Sequence, residues 1–156
     1  MRRPRLLALI AIGVLAFLVI SGLLARALSA DGAERSAVTT LVQAEARGDI
    51  ASAQAHVEQC SASPGCRARI TSNIATLKRP GAVTVLQLES STGFSLGTTL
   101  GTARVAFRIG GSKPIVQCVR VRRAGNVLSG LRIELLSVSA PLQGNASCPG
   151  RGTGGP

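Results

Sequence analysis

The chain has 156 residues, 18 of them basic and 7 acidic, for a formal net charge of +11. With no Trp, no Tyr and 3 Phe, it lacks the aromatic faces on which sugar-binding and single-strand-binding sites stack their ligands. Its single histidine, His56, leaves little material for a histidine metal site or a catalytic triad.

Residues 6–25 carry no charge. As a helix they would cover about 30 Å, the hydrocarbon thickness of a bilayer. Arg2, Arg3 and Arg5 precede this run, and Arg26, Asp31 and Glu34 follow it. The positive-inside bias then keeps the N-terminus in the cytoplasm and sends the rest outward. A cleaved signal peptide is the competing reading, with small-x-small sites at Ala25-Arg26-Ala27 and Ala27-Leu28-Ser29. The apolar part of a signal peptide is usually about 7–15 residues long, so the length favours an uncleaved anchor. No cysteine stands near the end of the run, which excludes a lipoprotein anchor. The expected organisation is a cytoplasmic N-terminus at 1–5, a span at 6–25, a linker at 26–30, one domain at 31–140 and a Gly/Pro-rich tail at 141–156.

From residue 31 to 47 the apolar positions Val38, Leu41 and Val42, with Glu45, recur at helical spacing. Gly48 is a natural C-terminal cap and Asp49 an N-cap for a second helix, which carries Ile50, Ala53 and Val57 and ends by Cys60. Pro64-Gly65 reads as a tight reversal. A third helix with Ile70, Ile74 and Leu77 stops at Pro80-Gly81. The period then changes from 3.6 to 2. Val83, Val85 and Gln87 alternate with Thr84, Leu86 and Leu88 in a first strand, and 102–109 form a second. Gly110-Gly111-Ser112 is a hairpin signal and 115–123 a third strand. Ala124-Gly125-Asn126 turns the chain into a last strand at 131–138, ended by Pro141. The fold class is α+β: an N-terminal transmembrane helix, then two to three helices on a curved antiparallel sheet of about four strands. Only Phe94 and Phe107 supply aromatics, so the core is aliphatic.

The four cysteines are Cys60, Cys66, Cys118 and Cys148, an even count that reads as two disulfides in an exported domain. The Pro-Gly step between Cys60 and Cys66 pairs those two and leaves Cys118 with Cys148, which ties the tail to the domain. The spacing is not the C-x₂-C of zinc or redox sites, so no metal or cofactor is expected.

The stretch 38–53, with its Gly48-Asp49 step, resembles the opening helix pair of the nuclear-transport-factor-2-like (cystatin-like cone) superfamily. The strands at 115–123 and 131–135 are similar to that superfamily's last two. The resemblance implies a curved sheet closed by helices. Among membrane-tethered, non-enzymatic members it implies a scaffold role in envelope complexes, as in the assembly proteins of type IV secretion systems. The enzymes of the superfamily use a carboxylate base with Tyr or acid donors in the cone, and this chain has no Tyr. Glu89 and Glu134, the only acids after Pro80, fall in phase with Gln87 and Arg132 on the solvated face. The chain therefore reads as a binding protein and not an enzyme. His56 reads as a surface residue.

The arginines of the strands form the candidate site. Arg104 and Arg108 share one face of the second strand, Arg120 and Arg122 one face of the third, and Arg132 the matching face of the last. Residues 82–140 hold seven basic and two acidic side chains. Such a stripe suits an acidic protein or anionic lipid headgroups; the competing reading is a solvated sheet face, which needs polar residues in any case and draws on Arg as this chain's default cation. The absence of interleaved aromatics argues against nucleic acid. The alternative function is a lipophilic-ligand carrier, with a cone lined by Val85, Val105, Phe107, Val119 and Ile133. The choice of Arg over Lys, 16 to 2, fits a GC-rich, bacterial genome.

Overall fold

A chain with no proline between Pro4 and Pro64 can carry a helix a long way. In the computed structural model, which describes residues 3–92, 98–126, 130–142 and 146–148, helix α1 runs unbroken from Arg3 to Arg47. Residues 26–30, expected as a linker, are part of this rod. Its first half presents bare apolar side chains, Leu9 at 68% and Phe17 at 69% exposure, and is long and apolar enough to cross a membrane. Its second half buries Val38, Leu41, Val42 and Ala44 completely. One helix thus has an apolar surface all round at one end and a single apolar stripe at the other.

Gly48, at φ +80°, terminates α1 as the sequence predicts; a Cβ there would meet Lys78 Cδ at 2.7 Å. Asp49 then caps α2 (Ile50–Ala55), its Oδ1 accepting from the Ser52 N–H at 3.0 Å. Helix α2 stops earlier than the expected end near Cys60. Val57 leaves it to bridge Leu135, and the Glu58 N–H donates to the Leu135 carbonyl at 2.7 Å. A short 3₁₀ turn follows at Cys60–Ala62. Pro64-Gly65 is not the chain reversal anticipated from the dipeptide. It opens helix α3 (Pro64–Leu77), with Ser63 as N-cap and Pro64 in the first turn, where its missing N–H leaves no bond unmade.

Strands β1 (Val83–Ser90), β2 (Thr99–Ile109), β3 (Ile115–Asn126) and β4 (Gly130–Val138) form an antiparallel sheet in the order β1-β2-β3-β4. The α+β architecture is the one the periodicities imply. Two details differ from the sequence pattern. A bulge at Leu86 shifts the register between Val85 and Gln87, so Gln87 joins the outer face and Leu88 returns to the core. Strand β3 also runs through Ala124-Gly125-Asn126, where a turn was expected. Gly125 holds φ +97° and lies so close to Gly130 that a Cβ would collide with the Gly130 carbonyl.

The inner sheet face packs Val105, Phe107, Val119 and Val121 against Leu41 of α1 and Ile70 and Leu77 of α3. Disulfides join Cys60 to Cys66 and Cys118 to Cys148, at Cα–Cα separations of 5.2 and 5.7 Å, the pairing read from the spacing. Much of the expected tail, 141–156, lies outside the described residues.

Candidate functional site

The register decides which arginines share a surface. Arg104 lies opposite Cys118, Thr102 opposite Arg120 and Leu100 opposite Arg122. Arg120 faces Ser137, Arg122 faces Glu134 and Ala124 faces Arg132 across β3 and β4, while Arg108 pairs with Thr84 of β1. Paired residues point to the same side of a sheet. All five arginines therefore stand on the outer face, away from the helices. Glu89 and Glu134 stand with them.

The five are not equivalent. Arg122 is bound by Glu134, with Nη2 to Oε2 at 2.5 Å. Arg104 lies 3.9 Å from Glu89 and donates from Nε to the Ala146 carbonyl at 3.3 Å. Arg108, Arg120 and Arg132 are exposed and have no ion-pair partner among the described residues. Ala146 and Cys148 lie on this face, held by the Arg104 contact and by the Cys118–Cys148 bridge. Beside that bridge Ala106 and Val116 are buried although they point outward. The surface is thus a basic stripe interrupted by two acids and by the segment 146–148.

Of the residues assigned to a ligand cone, Val105, Phe107 and Val119 have no accessible area, and Val85 and Ile133 pack half-buried against the same cluster. A cavity wide enough for a ligand would leave such side chains with reachable surface. His56 is the exposed C-cap of α2. Among the described residues no group of three His, Cys, Asp or Glu side chains is placed to hold a metal ion.

The interior holds two polar clusters that the strand and helix patterns did not single out. In the first, Glu34 of α1, 1% exposed, accepts from Arg123 Nε at 3.0 Å and Nη2 at 2.9 Å, from Thr92 Oγ1 at 2.7 Å and from Ser90 Oγ at 2.5 Å. Arg123 also bonds Asp31. Burial works against the Arg123 charge, but the bonds to Glu34 and Asp31 outweigh it and hold the guanidinium above its ordinary value. In the second, Glu45 accepts from Asn73 Nδ2 and Gln117 Nε2, each at 2.9 Å. Both amides also donate to the Ser139 carbonyl, at 3.0 and 3.4 Å. Burial pushes the Glu45 carboxyl upward, and the two amide bonds only partly oppose it. The Asn73 Oδ1 and Gln117 Oε1 atoms are buried with no hydrogen-bond partner among the described residues.

A signal for both clusters was present in the periodicity. Glu34 and Glu45 share the phase of Val38, Leu41 and Val42, and Gln117 and Arg123 share that of Val119 and Val121. Comparison with known proteins gives no match among family models, curated proteins or solved structures.

Proposed function

We propose that the chain is a single-pass, membrane-anchored protein with an extracytoplasmic domain that binds or scaffolds a partner and performs no catalysis. One observation carries the reading. A bare apolar helix passes without a break into a domain closed by two disulfides, the composition of a tethered domain in an oxidising compartment. The cystatin-like cone resemblance belongs to the same reading and is supported by helices that precede a four-stranded antiparallel meander. Both inward carboxylates, Glu34 and Glu45, are enclosed and hydrogen-bonded, which favours a structural role over that of a general base.

The partner surface is the basic outer face, and its partner is acidic. Arg108, Arg120 and Arg132 carry the uncompensated charge of this face and are the side chains to test. Changing all three to Ser should abolish salt-sensitive association in cross-linked native membranes and leave the far-UV circular dichroism unchanged. Undiminished association would refute the assignment. The carrier alternative predicts a lipophile that co-purifies with the domain; the closed packing around Phe107 weighs toward the surface reading.

A further inference from the structure

Helix α1 can be used as a ruler. The uncharged run ends at Ala25, and Ala30, five residues later, is already buried in the domain. At 1.5 Å per residue that interval is about 7 Å. The headgroup layer on one side of a bilayer is about 5–8 Å thick. The domain therefore begins where the headgroups end. The rod is also fixed in direction. Glu34 bonds it to Arg123, Ser90 and Thr92, and eleven residues on, about 16 Å, Glu45 bonds it to Asn73 and Gln117.

These attachments determine which end of the sheet faces the membrane. Ser90, Thr92 and Arg123 lie at the level of Glu34, so the near end carries the close of β1, the start of β2, the close of β3 and the start of β4. Arg132 sits there, opposite Ala124 and next to Arg123 in register. Arg35, on the turn of Glu34, is exposed. Neither has an ion-pair partner among the described residues. Arg123 serves both Asp31 and Glu34, and Arg122 serves Glu134. Counting Arg35 and Arg132 as well, four arginines stand against three acids at this level, a surplus of one positive charge among the described residues. Leu100, opposite Arg122, adds an apolar side chain 45% exposed. Arg108 is nine residues along β2 from Thr99, about 30 Å away at strand spacing.

We propose that this near end of the domain faces the headgroup layer of an anionic membrane, with the long side chains of Arg35 and Arg132 reaching back toward lipid phosphates and Leu100 on the same end. The proposal rests on the membrane-anchored reading above and adds an orientation and a lipid class to it. An arginine close to an anionic surface is favoured about fivefold, so the contact gains strength from acidic lipid and loses it in salt.

The test uses the full chain in nanodiscs of phosphatidylcholine, with or without phosphatidylglycerol. A photoreactive benzophenone side chain is placed at Leu100 on the near end or at Thr84, opposite Arg108, on the far end. A probe at Gly32, where a side chain would meet open space, calibrates the yield at the height of the helix. Ala124 is a second near-end position should the Leu100 change prevent folding. Lipid adducts read by mass should form at the near end at least fivefold more than at Thr84. They should rise with phosphatidylglycerol and fall several-fold in the Arg35→Gln/Arg132→Gln variant. Equal yield at both ends, no near-end adduct, or a yield indifferent to phosphatidylglycerol and to the two arginines would overturn the proposal. Failure of the chain to co-elute with the nanodiscs would overturn the membrane-anchored reading itself, whereas co-elution without near-end adducts would overturn only the orientation.

Discussion

Replacing Arg123 by Met tests whether the α1–sheet attachment is held by a buried charge pair. Arg123 is 8% and Glu34 1% exposed at their side chains, so neither charge is screened by water. Removing one partner of a buried pair costs about 3–5 kcal/mol, because the other charge stays uncompensated. Ser90 and Thr92 still donate to Glu34 in the variant, and the exposed Asp31 loses little. The low end, about 3 kcal/mol, is therefore expected. With a urea slope of about 1–1.5 kcal/mol per molar for a domain of this size, the midpoint should fall by about 2–3 M. Far-UV circular dichroism of the full chain in detergent micelles measures it; the chain has no Trp or Tyr to serve as an optical reporter. Adding Glu34→Leu to the variant removes the stranded charge and should recover most of the loss, since an apolar pair can replace a buried ion pair at little cost. A single variant within 0.5 M of the parent, or a double variant no better than the single, would refute the argument.

Glu45 gives a pH signature. Its folded carboxyl is held above the ordinary value of 4.5, mainly by burial, so the folded state binds the proton more tightly than the unfolded chain does. Its contribution is fully present below the ordinary value, is lost as pH rises from there to the raised folded value, and is level beyond. Glu45→Gln should remove this decline, seen as a difference between the two stability–pH curves; superimposable slopes would contradict it. Cys118→Ser with Cys148→Ser opens a loop with a sequence separation of 30 and should cost about 3–4 kcal/mol by chain entropy, measured by urea unfolding. Opening the Cys60–Cys66 loop, separation 6, should cost only about 2 kcal/mol. Gly125→Ala should destabilise the β3–β4 pair and lower the thermal midpoint, because φ +97° and the Gly130 carbonyl leave no room for a Cβ.

The parts of this fold that were legible in the sequence are those set by period and punctuation. The change from 3.6 to 2 after Pro80, the Gly48-Asp49 cap and the disulfide pairing are local patterns, and the structure follows them. Some residues read differently for reasons next to them in the chain, others because their partners are distant in it. Pro64-Gly65 looks like a turn until Ser63 is seen to cap the helix it opens. Leu86 breaks the alternation of β1 because a bulge absorbs it, which no side-chain pattern announces. The outer arginine face followed from alternation alone. Which arginines are bound required the register, since Glu134 meets Arg122 only across β3 and β4. Glu34 and Arg123 stand 89 residues apart. Each falls in the apolar phase of its own element, but only the fold shows that the two are partners.

The central claim, a domain held at the membrane by its own uncleaved helix, is tested most directly by the intact mass of the protein in membrane and soluble fractions of its native cells. The account predicts a membrane-bound chain that still carries residues 6–25, lighter by about 4 Da than its reduced form because each bridge removes two hydrogens. A chain beginning near Ala27 or Ser29 and recovered from the medium would contradict it.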